Sequence, residues 1–167
     1  MLLSLRNLRV RFGQGEHAVT AVDDVSLDIR PGETCCLVGE SGSGKSVTGL
    51  ALLRLLPVDL VGTPEGQALF TPGGRGAVAE SADASGVDLL RLPETEMQKI
   101  RGGRISMIFQ EPMTALNPVL TIGEQVMEPL QLHLGMDEAG ARRRAVELLT
   151  QVHVPDPEQR LSEYPHR

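Results

Sequence analysis

The sequence runs to 167 residues, long enough for one domain with its own core. Hydrophobic residues make up 41% and charged residues 23%, which is the balance of a globular chain. A formal net charge of −6, 2% aromatic residues and no Trp speak against a protein that clings to nucleic-acid phosphates or stacks bases. No apolar run reaches the ~20 residues of a membrane-spanning helix. The N-terminal run MLLSLRNLRVRF alternates like a strand and lacks the apolar centre of a signal peptide, so a cytoplasmic chain is expected.

Residues 1–30 read as strands. Leu8, Val10 and Phe12 alternate, as do Val25, Leu27 and Ile29, with Gly13 and Gly15 marking a turn between the two runs. Pro31-Gly32 is a second turn signal. The unbroken apolar run Cys35-Cys36-Leu37-Val38 then predicts a strand buried on both faces, as in a parallel sheet. Neighbouring strand residues point to opposite faces, so Cys35 and Cys36 are expected to be two small core thiols and not a disulfide. A helix opens near Ser46 and is closed by Pro57. Residues 58–95 are poor in large apolar side chains, above all the stretch TPGGRGAVAESADASG, and read as a flexible surface insert. Order returns near Leu92, and Arg104–Phe109 predicts another buried strand ending at Gln110. Residues 119–135 read as helix interrupted at Pro129. Asp137 caps a further helix whose Ala145, Leu148, Leu149 and Val152 recur at helical spacing, with Arg142–Arg144 on its solvated face.

One motif carries chemistry. Gly39-Glu40-Ser41-Gly42-Ser43-Gly44-Lys45-Ser46 satisfies G-x-x-x-x-G-K-[ST] at every fixed position. A chance match somewhere in a chain of ordinary glycine content is on the order of 1% or less. Glycines let the backbone curl so that successive N–H groups face phosphate oxygens. Lys45 brings a positive charge to the β- and γ-phosphates, the Ser46 hydroxyl can ligate Mg²⁺, and the helix that starts there adds its positive dipole end. Glu40, Ser41 and Ser43 occupy the variable positions, and Val47 follows the motif into the helix. The site expected is one for a nucleoside triphosphate. His17, His133, His153 and His166 are scattered, with no Cys or carboxylate at metal-ligand spacing, and read as ordinary polar residues.

The flanks resemble ABC-transporter nucleotide-binding domains. The similarity lies in LRNLRVRF…AVTAVDDVSLDIRPGETCCLVGESGSGKSVTGLALLRLLP, in RISMIFQEPMTALNPVLTIGEQVMEPLQLH and in VHVPDPEQRLSEYPHR, nearly the whole chain apart from the insert. GESGSGKSVTGLALLRLL, MIFQEPMTALNPV and YPH resemble the dipeptide, oligopeptide and nickel importers, and EPMTALNP with the long insert looks most like a glutathione or peptide importer. The fold implied is α/β: a P-loop core with a parallel sheet, an N-terminal antiparallel β subdomain and the start of a helical subdomain. The expected divisions are 1–57 for the β subdomain and P-loop, 58–95 for the insert, 96–115 for strand and Q-loop, and 116–167 for the helical start.

The resemblance also implies roles. Phe12 matches an aromatic that stacks on adenine, although its place in a strand equally suits a core residue. Gln110 matches the Q-loop glutamine, which reaches Mg²⁺ or the attacking water. Met113, Leu116, Val119 and Leu120 fall where such domains receive the coupling helix of a membrane subunit. The partners implied are transmembrane permease subunits, a second ATP-binding subunit and, indirectly, a solute-binding protein, with the chain peripheral on the inner face of the cell membrane and no nucleic acid involved.

The Leu-Ser-Gly-Gly signature, the Asp-Glu of Walker B and the switch histidine have no counterpart in the sequence. Leu132–Glu138 ends in Asp-Glu, but His133 and Gly135 break its apolar run. Asp23-Asp24 precede the P-loop, and Leu161-Ser162-Glu163 lacks glycines. The chain on its own is therefore expected to bind ATP without hydrolysing it and to be marginally stable, because the P-loop strand lacks neighbours. Two rival readings are a non-catalytic ATP-binding fragment and an ABC ATPase not involved in transport. A P-loop kinase or GTPase is a third.

Overall fold

The computed structural model describes residues 1–13, 15–71, 86–110 and 115–166. They form two compact units, Met1–Ile105 and Ser106–Arg167. Strand β1 spans Leu3–Phe12 and β2 spans Val19–Ile29, joined through a 3-10 turn at Gly15–His17. Helix α1, Lys45–Leu52, follows the P-loop. Strands β3, Glu65–Phe70, and β4, Val87–Asp88, come next, then helix α2, Glu94–Ile100. The strands form one four-stranded sheet in the order β2-β1-β3-β4, antiparallel throughout.

The centre of this sheet is β1, and its sequence shows why. Leu3 and Leu5 share one phase of the strand, whereas Leu8 and Val10 share the other, yet all four are buried. A slip of one residue reconciles them. Asn7 adopts a left-handed φ of 50° and the β1–β2 register shifts between Leu5 and Leu8. On β2, Asp24 is also left-handed, and its carboxylate accepts a 2.6 Å hydrogen bond from the Asn7 amide. Opposite on β3 lies Gly66, at φ +103°, where a Cβ would fall 2.6 Å from the carbonyl oxygens of Arg6 and Asn7. Polar pairs fasten the outer face. Arg6 donates to Asp28 at 2.7 Å and Arg9 to Asp23 at 2.7 Å. The Arg6 hydrogen bond, with that of Ser4, holds the Asp28 carboxyl below its ordinary range. The buried face carries Val22, Ala68 and Phe70 beside the β1 residues, and Ala51, Leu53, Leu89, Leu90, Met97 and Ile100 complete the apolar interior of the unit.

Three expectations change here. Residues 58–95 are not a bare insert, because β3 and β4 lie within them and Ala68, Phe70, Leu89 and Leu90 are buried. Residues 72–85 lie outside the described residues. The segment Cys35–Val38 is not a buried strand: both thiols are exposed, Val38 is 93% exposed, and no ladder includes the segment. Arg104–Phe109 likewise makes a single bridge, Arg101 to Ile105, and leaves Ile108 97% exposed. A strand covered on both faces needs a ladder on each edge, and among the described residues no ladder includes either segment. The parallel arrangement expected there is therefore absent from the described ladders, which belong to the antiparallel subdomain.

The second unit is helical. Helix α3, Ile122–Leu134, opens with a capping box in which Thr121 and Glu124 satisfy each other's backbone N–H groups. Those hydrogen bonds from Thr121 hold the Glu124 carboxyl low. Pro129 lies inside α3 without ending it, and the next residue, Leu130, is buried. Gly135, at φ 63°, closes the helix. Helix α4, Glu138–Gln151, is capped by Asp137, whose carboxylate accepts from Gly140 N at 2.8 Å. A short helix α5, Pro157–Arg160, follows. Leu130, Ala141, Ala145 and Leu161 form the small core, with Leu148 and Leu149 packed on it. Val152 is exposed, because the helix has already turned off at that residue. Gly123 lets α3 approach the segment after α5: its N–H donates to Leu161 O at 2.8 Å, and a Cβ would lie 2.6 Å from that oxygen.

Gly66→Ala tests the paired bulge directly. The added Cβ meets two backbone oxygens and a left-handed φ, so a loss of about 1–3 kcal/mol is expected in urea unfolding. Unchanged stability would mean that the bulge is not a fixed feature of the sheet.

Candidate phosphate-binding site

The motif Gly39–Ser46 sits between an extended segment and α1. Its turn depends on glycine for three separate reasons. Gly42 and Gly44 hold φ of +84° and +86°, which side chains rarely adopt. Gly44 is also pressed against β2: a Cβ there would collide with the carbonyl oxygen of Ala21 and lie 3.2 Å from Val22. At Gly39 a Cβ would fall 2.6 Å from the Ser43 hydroxyl. Beneath the turn, buried Thr48 donates its hydroxyl to Gly44 O at 3.0 Å, and its N–H donates to the same oxygen at 2.9 Å. Thr48 and Ala21 are thus parts of the cradle that motif matching does not single out.

Lys45 is folded over the loop. Its Nζ donates to Gly39 O at 2.8 Å, to Glu40 O at 2.6 Å and to Ser43 Oγ at 3.1 Å. The ammonium is therefore held at the mouth of the turn by neutral oxygens. Among the described residues, the backbone N–H groups of Gly44, Lys45, Ser46 and Val47 donate to nothing in the chain. They are the orphan donors of the α1 N-terminus, and no acidic side chain lies in its first turn. Glu40, Ser41, Gly42, Ser43 and Ser46 are exposed, while Val47 is half-buried. Free donors, a positive dipole end and one flexible cation make an anion site that is open to solvent. The exposed Ser46 hydroxyl, with no partner among the described residues, is a hard oxygen donor that fits Mg²⁺ beside the phosphates.

The other expected residues are placed less decisively. Phe12 ends β1 opposite Val19, bridges to Val61 and is half-buried, so part of its ring area is open and part is packed. Gln110 is exposed and belongs to the second unit. Met113 lies outside the described residues, whereas Leu116, Val119 and Leu120 are exposed, Val119 by 74%. Among the described residues no three His, Cys, Asp or Glu side chains converge as metal ligands.

Comparison with known proteins gives the family. The family model described as ABC transporter matches residues 22–167. The chain belongs to the ABC transporter family. It is 49% identical over 165 residues to the peptidoglycan transport ATP-binding protein YejF of Agrobacterium fabrum, covering 99% of this chain and 28% of that protein. It is 45% identical to the oligopeptide transport ATP-binding protein OppD of Haemophilus influenzae and 43% identical to OppD of Escherichia coli, covering 46% and 44% of those proteins. The chain thus spans less than half the length of these relatives. Among solved structures, a dimeric ATP-binding cassette in a post-hydrolysis state bound to ADP and Pi superposes with a TM-score of 0.72 at 26% identity, over 98% of this chain and 62% of that one. No helix among the described residues of this ABC family member is long and apolar enough to cross a membrane.

Gly44→Ala and Gly42→Ala separate the two demands on the loop. Nothing lies within 4 Å of a Cβ at Gly42, so its cost is the left-handed backbone alone, about 1–2 kcal/mol. Gly44→Ala adds the collision with Ala21 and is expected to cost more in unfolding and to weaken ATP binding further. Equal effects of the two substitutions would show that β2 does not support the cradle.

Proposed function

We propose that this chain is the P-loop-bearing part of an ATP-binding subunit of an ABC importer for peptides, and that it binds ATP with Mg²⁺. The observation that carries the reading is the α1 N-terminus, with four N–H groups that have no partner among the described residues beside a lysine whose partners are neutral oxygens. Phosphate oxygens are better acceptors for that ammonium than carbonyls or a hydroxyl, because the hydrogen bonds become charge-assisted on both sides. Lys45 exchanges Gly39 O and Glu40 O for the β- and γ-phosphates. The N–H groups take the remaining oxygens, and Ser46 Oγ would hold Mg²⁺, whose charge offsets that of the phosphates. A partly open Phe12 supplies a flat face for the adenine.

Peptide import is supported by the names of the OppD relatives, oligopeptide transport ATP-binding proteins, and by MIFQEPMTALNPV. Dipeptide, oligopeptide and glutathione cargoes share that support, and nickel remains the alternative cargo. Exposed Leu116, Val119 and Leu120 offer an apolar face to a membrane subunit, and the dimeric solved cassettes support pairing with a second ATP-binding subunit. Hydrolysis is proposed for that assembly and not for the isolated chain, since neither the signature nor an apolar strand ending in Asp-Glu occurs among its residues. A non-catalytic ATP-binding role is the second reading, favoured by the same observation.

The test is ATP binding and hydrolysis by the full 167-residue chain and by Lys45→Ala. Removing a charge-assisted contact worth about 1.5–3 kcal/mol is expected to weaken binding roughly 10-fold to 150-fold, without turnover in either protein. Binding that ignores Lys45 would overturn the phosphate-site reading. Magnesium-dependent turnover that needs Lys45 would overturn the restriction to binding.

A further inference from the structure

The C-terminal end of α1 is built in an unusual way. Leu55 N donates to Leu50 O at 2.9 Å and Arg54 N to Ala51 O at 3.0 Å, the two reversed bonds that close a helix with a left-handed residue. Glycine ordinarily fills that position, as Gly135 does after α3. Here it is Arg54, at φ +53°. A long side chain held in a backbone region that disfavours it suggests that the side chain is required.

What the Arg54 guanidinium does is specific. One arm donates to Leu92 O, just ahead of α2, and the other lies 3.3 Å from Glu94 Oε2. Arg101, which directly follows α2, reaches the opposite way. Its Nε donates to Leu53 O at 3.0 Å and its Nη1 to Glu94 Oε1 at 3.0 Å. Each arginine thus caps a carbonyl on the other's segment, and both clasp the one carboxylate. Glu94 opens α2 and Arg101 follows its last turn, so both ends of α2 are tied to the rear of α1. Both arginine side chains are more than two-thirds covered, and the cluster lines a cleft of about 410 Å³ with apolar Ala51, Leu55 and Leu90. The two arginines and one carboxylate leave a positive charge at the negative dipole end of α1.

We propose that Arg54, Glu94 and Arg101 are positioning residues that set the affinity of the P-loop for ATP and link its occupancy to α2. The inference rests on the nucleotide-binding reading above. Helix α1 has eight residues, a rod of about 12 Å. Its front carries the N–H donors and Lys45; its rear is held by the triad. A rigid rod this short cannot tilt at one end without moving the other, and hydrogen bonds to phosphate tolerate only a few tenths of an ångström. Conversely, when ATP fixes the front of α1, the clasp transmits that restraint to both ends of α2. Beyond α2, Gly102 N donates to Ile105 O at 2.8 Å and the chain then runs on to Gln110.

Amide hydrogen exchange of the full chain, with and without Mg-ATP, is measured alongside ATP affinity for the natural sequence, Glu94→Gln and Lys45→Ala. ATP is expected to slow exchange in α2 of the natural sequence. Glu94→Gln should abolish that slowing and raise the Kd about threefold to thirtyfold, measured well below its melting temperature. A purely structural role would lower the melting temperature and leave both readouts unchanged, which overturns the proposal, as does an α2 indifferent to ATP in the natural sequence. If Glu94→Gln does not fold, Arg54→Lys, which keeps the charge and loses the two-armed contact, is read in the same way. ATP binding insensitive to Lys45→Ala would instead indict the nucleotide-binding reading.

Discussion

The arrangement turns on the contact between Gly44 and the Ala21 carbonyl of β2. No side chain fits there, so the loop enters α1 flush against the antiparallel sheet, and the N–H groups of the first helical turn have no partner among the described residues. Thr48 bonds back to Gly44 O from below, which leaves the cap little room to relax. The position of the phosphate cradle is therefore inherited from β2. The position of β2 is inherited in turn from β1, through the bulge at Asn7 and Asp24 and the ion pairs of Arg6 and Arg9.

The cradle was legible in the sequence because its chemistry is local. Gly42 and Gly44 take left-handed backbone and Gly39 makes room for Ser43 within eight residues, and Lys45 and Ser46 follow at once, so spacing reports the candidate site. The strands of β1 and β2 were legible for the same reason, although the slip between Leu5 and Leu8 was visible only as a broken alternation. The caps at Asp137 and the helix through 119–135 also followed from near neighbours, and Pro129 failed to end its helix because the Thr121–Glu124 box and buried Leu130 hold both sides of it.

What escaped the sequence depends on distant partners. Cys35–Val38 and Arg104–Phe109 have the composition of buried strands, but burial is a property of neighbours, and among the described residues no strand ladder forms on either. Residues 65–70 read as insert because Ala68, Leu69 and Phe70 stand together without alternation after polar and Gly residues, yet β1 recruits them into the sheet. Pro57 was the visible stop for α1, whereas the helix closes earlier on a left-handed Arg54 whose reason for being there lies on α2. The triad joins Arg54 to Glu94 and Arg101, 40 and 47 residues further along the chain, and leaves no local signature. The packing of Gly44 on β2 and of Thr48 beneath it explains how the candidate cradle is held.

The central claim is that ATP phosphates are received by the α1 N-terminus. Backbone amide NMR of the full chain during Mg-ATP titration tests it most directly. The account requires the largest shifts at Gly42, Gly44, Lys45, Ser46 and Val47, with smaller changes through the rest of α1. Saturable shifts centred elsewhere, or none at these five residues while ATP binds, would contradict it.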